Sequence, residues 1–282
     1  MNRMNEPVTV ANRQASLSGG MAAAYWTQGE KRTPDEPVVL LLHGYCGSSA
    51  YWKDVLPLLE QSVKVIAPDL RGHGSSSATE EETYTMESLA DDVAGLLAEI
   101  GEKQAVVLGH SLGGYVALAF AERHPEMLHA LGLVHSTPLP DTAEGKEKRD
   151  KAVEIIRTEG VEAFVEGLIP KLFAPSHLSV VADRVEQAKA IGRATDPQAA
   201  AACALGMKER PDRTEVLRGL DKPVLLLAGD EDQVIGRERT FTAEGPNVEQ
   251  VLLKDSGHMS MAEQPVELAA ALNAFISRAI GR

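Results

Sequence analysis

Short, uninterrupted apolar runs recur along this chain, and the segments between them carry apolar residues at helical spacing. Residues 38–42, 63–67, 105–108 and 131–134 each read as a strand buried on both faces. Residues 49–60 read as a helix with Trp52, Val55, Leu56 and Leu59 on one side. Met86, Leu89, Val93, Leu96, Leu97 and Ile100 mark one face of another helix, and Gly101 stops it. A third helix covers 114–122. Strands that alternate with helices predict an α/β fold: a mostly parallel central sheet with helices on both faces.

The alternation breaks from about 136 to 220. Helical stretches there are interrupted at Gly160, Pro170, Pro175, Pro197 and Pro211, and no strand is expected. The charged run 144–151 reads as a solvated helix face. Strands return at 224–227 and 251–253, and Pro265 opens a terminal helix with Leu268, Leu272, Phe275 and Ile276 inward. The expected organisation is a core in two parts, 1–137 and 221–282, with 138–220 inserted as a helical lid over the carboxyl ends of the strands. Ligands bind at that edge in open α/β sheets.

Composition narrows the function. The chain has 282 residues and a net charge of −13, from 28 basic and 41 acidic side chains. Such a balance disfavours nucleic acid and anionic membrane surfaces as partners. Two distant cysteines, Cys46 and Cys203, match no metal spacing and suggest a reducing compartment. Met1 to Val10 has no apolar core of a signal peptide, and no run reaches the length of a membrane span. A cytoplasmic location is expected.

Four short motifs carry candidate chemistry. Gly109-His110-Ser111-Leu112-Gly113 stands between a strand and a helix. His43-Gly44-Tyr45 follows the strand at 38–42, Gly229-Asp230-Glu231-Asp232 follows 224–227, and Ser256-Gly257-His258 follows 251–253. In these motifs, and in the loop Asp69 to Ser75, the chain resembles the α/β-hydrolase superfamily over essentially its whole length. The style is that of single-domain serine hydrolases with a helical lid: carboxylesterases, haloperoxidase-like perhydrolases, enol-lactonases and carbon–carbon bond hydrolases.

The resemblance implies a nucleophile elbow at Ser111. The turn is tight enough to strain the serine and to require very small residues two positions before and after it. It also implies an oxyanion hole formed by the N–H groups of Leu112 and Tyr45, unless His43 merely caps its strand. The order Ser111, acid, His258 is that of this fold, with Asp232 in the usual acid position and Asp230 as fallback. Among the other histidines, His110 is expected to point away from the site and His135 to line the pocket. His73 belongs to a structural turn in which Asp69 and Arg71 hold backbone groups. Cys46 reads as a small buried residue.

Serine at position 111 disfavours activities of this fold that use aspartate or cysteine. The expected activity is hydrolysis of a small or medium carboxylic ester through an acyl-enzyme, without metal or organic cofactor. The alternatives are lactone opening, acyl transfer to another acceptor, carbon–carbon hydrolysis, or a slowly turning receptor. Phe164, Leu168, Phe173 and Met259, with Ile169 and Leu172 beside them, are the candidate acyl-binding residues, although packing within the lid explains the lid residues equally well.

Overall fold

The computed structural model describes residues 8–281; the N-terminal reading lies, up to residue 7, outside them. Strands β1 (Arg13–Ser16) and β2 (Ala22–Gln28) come first, followed by β3 (Val38–Leu42) and β4 (Val65–Pro68). Then come α1 (Met86–Glu99), β5 (Ala105–His110), α2 (Leu112–Arg123) and β6 (Leu128–Val134). Five helices follow without a strand between them: α3 (Ala143–Glu159), α4 (Val161–Leu168), α5 (Ala182–Arg193), α6 (Pro197–Glu209) and α7 (Thr214–Arg218). The chain ends with β7 (Val224–Gly229), α8 (Arg237–Thr240), β8 (Val248–Leu253), α9 (Ser260–Glu263) and α10 (Pro265–Ala279).

The strands form one sheet in the order β1-β2-β4-β3-β5-β6-β7-β8. From β4 to β8 every pairing is parallel, while β1 and β2 add antiparallel strands at one edge. The parallel strands are buried on both faces, which is why they read as continuous apolar runs: every residue of β3, β5 and β7 is buried. The edge pair did not stand out, because Arg13–Ser16 is polar and mostly exposed and Ala22–Gln28 is only partly buried.

The expected helix at 49–60 is instead two tight turns, Ser49–Trp52 and Leu56–Leu58. Pro57 lacks the N–H that a continuous α-helix would need there and would clash with the preceding turn. Ser48 meanwhile caps the first turn by accepting from the Ala50 N–H at 3.1 Å. Its buried face still packs Trp52, Val55, Leu56 and Leu59 into the core.

Below the strands' carboxyl ends, two polar side chains tie loops together. Asp69 accepts from the Ser49 and Ser75 amides at 2.7 and 2.8 Å, as expected of it. Arg71 holds no backbone group; it forms a two-point pair with Asp92 at 2.8 and 2.6 Å and a further pair with Glu81. Its long side chain reaches α1 rather than its own turn.

Fully buried His43 links this loop to β3. Its Nδ1 faces the Gly44 carbonyl at 2.8 Å and so carries the proton, leaving Nε2 to accept from the Leu70 amide at 2.9 Å. Burial first, and then His73 beside it, lowers its pKa from 6.5 to about 3. Between these values the unfolded chain binds a proton that the native state refuses, so stability rises with pH. The contribution of neutral His43 is therefore complete above pH 6.5 and is lost as pH falls towards about 3. His43→Gln should flatten the pH dependence of urea unfolding in this window by about 1.4 kcal/mol per pH unit. An unchanged slope would contradict this account.

Candidate active site

Ser111 connects β5 to α2 with φ 51° and ψ −114°, a backbone conformation that an L-residue rarely adopts. Strain of this kind costs about 1–3 kcal/mol. The surrounding hydrogen bonds hold it: the Ser111 N–H donates to the Val134 carbonyl at 3.1 Å, and the Ser136 hydroxyl donates to the Ser111 carbonyl at 2.8 Å. A side chain at Gly109 would overlap the Gly113 backbone, and one at Gly113 would overlap the Leu42 carbonyl. Gly114 is equally constrained, against Ser136, a requirement that the five-residue motif does not display.

The 43–45 loop lies directly against this turn. A Cβ on Gly44 would sit 2.6 Å from Nδ1 of His110 and 3.4 Å from Cβ of Ser111. Tyr45 and Leu112 therefore flank the serine. Among the described residues, neither amide donates to another group of the protein. Leu112 is the first residue of α2, where helical N–H groups have no partner within the helix. Cys46 follows with φ 52°, and burial pushes its thiol up to about 12, so it stays protonated.

Asp232 and His258 meet from the ends of β7 and β8. Asp232 Oδ2 accepts from Nδ1 of His258 at 2.8 Å, while Oδ1 accepts from the Val234 and Ile235 amides at 2.8 and 3.0 Å. With the proton on Nδ1, Nε2 of His258 is left as a base. Asp230 does not reach the imidazole; it lies 3.4 Å from Lys254 and 3.4 Å from the Ser256 amide.

His135, expected to line the pocket, does not line the cavity that holds Ser111. It is fully buried, and its Nδ1–H donates to the same Asp232 Oδ2 at 3.1 Å while Ser260 bonds its Nε2 at 2.8 Å. Burial opposes the Asp232 charge, but electrostatic attraction to the two imidazoles and the hydrogen bonds from His258 and His135 outweigh it and hold the carboxyl well below its usual range. Burial also keeps His135 neutral, against the pull of Asp232. One ligand atom each from His135, Asp232 and His258 falls within 4.8 Å of the others, as in a metal site. Those atoms are already joined by hydrogen bonds in which two imidazole N–H groups share one carboxylate, so the donor set is satisfied without an ion.

Further contacts fix the loop of His258. Its N–H donates to the Leu172 carbonyl at 2.8 Å. His110, expected to point away from the site, instead lines the same cavity, and its Nε2–H donates to the His258 carbonyl at 2.9 Å. Glu263 accepts from the Gly257, Met259 and Ala174 amides at 3.0, 3.3 and 2.7 Å. Burial raises the Glu263 carboxyl above its ordinary range against the pull of these donors. Nothing in the local sequence marks His135 for its role, since its partners come from distant segments, and the same holds for the Ala174 contact of Glu263.

Ser111 and His258 open into one cavity of about 440 Å³, counting its solvent-filled mouth. Leu168 and Leu172 form part of its wall. Phe164, Phe173 and Met259 do not line it. Phe164 packs behind Tyr45 with ring centroids 5.7 Å apart, Phe173 is buried in the core, and Met259 faces a separate small cavity beside Ala188 and Ile191. Tyr45, Tyr51, His110, Tyr115, Met207, Val234 and Arg149 complete the wall; of these Tyr51, Tyr115, Met207, Val234 and Arg149 were not singled out from the sequence. Arg149 departs from its expected place on a solvated helix face. It stands on the side of α3 that carries buried Ala152, Val153 and Ile156, three, four and seven residues on.

A family model described as the alpha/beta hydrolase fold matches residues 37–265, and the chain belongs to that family of enzymes. A thermophilic esterase from Thermogutta terrifontis is 33% identical, with a TM-score of 0.86 over 95% of this chain and 98% of its own. RutD of Pseudomonas savastanoi pv. phaseolicola, a protein named for carbamate hydrolysis, is 30% identical over 86% of this chain and 95% of its own. The enol-lactonase of Burkholderia xenovorans is 23% identical with a TM-score of 0.85 over 94% and 100% of the two chains, a likeness of fold. No helix among the described residues is long and apolar enough to cross a membrane.

Removing the Glu263 carboxylate leaves three backbone amides without their acceptor. Each such loss costs about 1–3 kcal/mol, so Glu263→Ala should lower unfolding stability by roughly 3 kcal/mol or more. Hydrogen exchange should also accelerate at Gly257 and Met259. Wild-type protection at both amides would show that Glu263 does not hold this loop.

Proposed function

We propose that this enzyme cleaves a carboxylic ester of a small or medium acyl substrate, with Ser111 as nucleophile, His258 as base and acid, and Asp232 as the group that orients His258. One observation carries the reading. A strained serine shares a cavity with an imidazole whose Nδ1–H is held by a buried carboxylate. The likeness to an esterase at 33% identity supports the ester as substrate class.

In this mechanism Nε2 of His258 takes the Ser111 proton as Oγ attacks the ester carbonyl. The carbonyl oxygen becomes an oxyanion and accepts from the Tyr45 and Leu112 amides. Collapse breaks the bond to the alcohol, which leaves with the proton from His258. Water then gives a proton to His258 and attacks the acyl-serine. Breaking of the acyl–Oγ bond returns that proton to Ser111 and releases the acid. The sum is ester plus water giving acid plus alcohol. Asp232 holds the tautomer and stabilises the imidazolium in each half. No step calls on a cofactor.

The segment 138–220 serves in this reading as a lid that shapes the acyl pocket. Its support is that Arg149, Leu168, Leu172 and Met207, all from this segment, line the cavity that holds Ser111. Leu168 stays a candidate for acyl selection and Met207 joins it, whereas Phe164, Phe173 and Met259 lie outside the cavity wall.

Ser111→Ala should leave the circular dichroism spectrum intact and cut turnover of p-nitrophenyl butyrate by about 10⁴- to 10⁶-fold. A folded variant retaining a tenth of the activity would remove Ser111 from its role. Asp232→Asn should cost about 10⁴-fold, and far more than Asp230→Asn; the reverse order would move the acid to Asp230. Leu168→Ala and Met207→Ala should shift the preferred acyl length upward in a p-nitrophenyl ester series. A methylene in an apolar pocket changes discrimination by about 1–3 kcal/mol, so the shift is measurable. Unchanged profiles in both folded variants would place specificity elsewhere.

A further inference from the structure

The cavity is neutral or apolar except at one point. Among the described residues no Asp, Glu or Lys lines it, and Arg149 is the one lining side chain with a permanent charge. Arg149 is about a quarter exposed, and its Nε donates to Asp141 at 3.0 Å. Among the described residues Asp141 is its one carboxylate partner, and that carboxylate is shared. Arg210 lies 2.8 Å from the other oxygen, with its guanidinium stacked 4.0 Å from the centre of the Tyr115 ring. Two guanidinium groups and one carboxylate leave the cluster with one net positive charge. Arg149 shares the cavity wall with the phenols of Tyr45 and Tyr115, so it lies at the pocket and not beyond it.

A structural ion pair would be balanced; this one is not. Arg149 keeps part of its surface open, and among the described residues no other acid pairs with its Nη hydrogens, which leaves them for an incoming anion. The excess sits in a protein of net charge −13, whose overall field repels anions. Screening confines that field to about 8 Å at physiological salt, so a local cation decides what the cavity accepts. A guanidinium fork suits a carboxylate above other ligands because two parallel N–H donors meet two oxygens.

We propose that Arg149 binds a carboxylate carried by the substrate, so that this enzyme acts on anionic esters or lactones, with the ester carbonyl at Ser111 and the free carboxylate at Arg149. The inference rests on the hydrolase reading above for the identity of the reacting bond. The carboxylate itself belongs either to the acyl chain or to the leaving group.

Two pairs of probes separate these sources. The half-ester mono-p-nitrophenyl adipate is compared with p-nitrophenyl hexanoate, which ends in methyl, and meta-acetoxybenzoate with phenyl acetate. Wild type should favour the anionic member of at least one pair in kcat/KM. In Arg149→Met the ratio of anionic to neutral kcat/KM for that pair should fall by about 10- to 100-fold, the range of a hydrogen bond to a charged group, with the change mainly in KM. Arg149→Lys should recover part of the ratio. A purely structural arginine would lower both members together, and an unchanged ratio would overturn the proposal, as would a wild type that disfavours the anion in both pairs. Binding tests it without turnover: adipate should raise the melting temperature of Ser111→Ala and fail to do so in Ser111→Ala with Arg149→Met. No hydrolysis of any ester alongside that binding would refute the ester-hydrolase reading and sustain the anion site. Equal melting shifts in both variants would refute the anion site.

Discussion

The site depends on one buried carboxylate. Asp232 takes two imidazole N–H groups on one oxygen and two backbone amides on the other, with its side chain closed to solvent. A charge so placed persists only because every acceptor direction is used. The four donors come from different places: His135 follows β6, His258 follows β8, and Val234 and Ile235 belong to its own loop. The carboxylate thus gathers the ends of three adjacent strands and orients the imidazole in the same act.

Close backbone approach is the second constraint. The turn at Ser111 packs against the Leu42 and His43 carbonyls, and the Asp232 loop packs against the backbone of Ser256 and Gly257; Gly113 and Gly229 stand at these contacts because a Cβ would overlap main-chain oxygen. The inserted helices are joined to the same assembly. The Leu172 carbonyl takes the His258 amide, and Glu263 bonds amides on both the Ala174 segment and the His258 loop. Any displacement of the helical segment therefore reaches the histidine through the backbone. The helical part of the cavity wall and the His258 loop are thus joined through backbone hydrogen bonds.

Charge is distributed with a similar economy. The surface is acidic, while the cavity wall holds a lone arginine. The histidines around Ser111 are kept apart by function of environment: His110 and His135 are driven neutral by burial, each donating one N–H, and thereby add hydrogen bonds to the site without adding positive charge.

The parallel core was legible in the sequence because strands buried on both faces must be apolar at every position, and this signal is local. The elbow was legible for the same reason: Gly109, Ser111 and Gly113 crowd one another within a single turn. Chain order then led to Asp232 and His258, which the structure brings together. Other features depend on residues far apart in the chain, and only the tertiary structure decided them. His135 and Glu263 acquire partners 97 and 89 residues away. The edge strands β1 and β2 need a neighbour more than their own apolarity to form. Phe164 and Phe173 are apolar and belong to the inserted segment, yet which apolar residues face a cavity depends on how helices pack, not on their composition. Arg149 is the sharpest case. Its charged neighbours suggest solvent, its helical phase suggests the interior, and the fold resolves the conflict by turning a cation towards the cavity that holds Ser111.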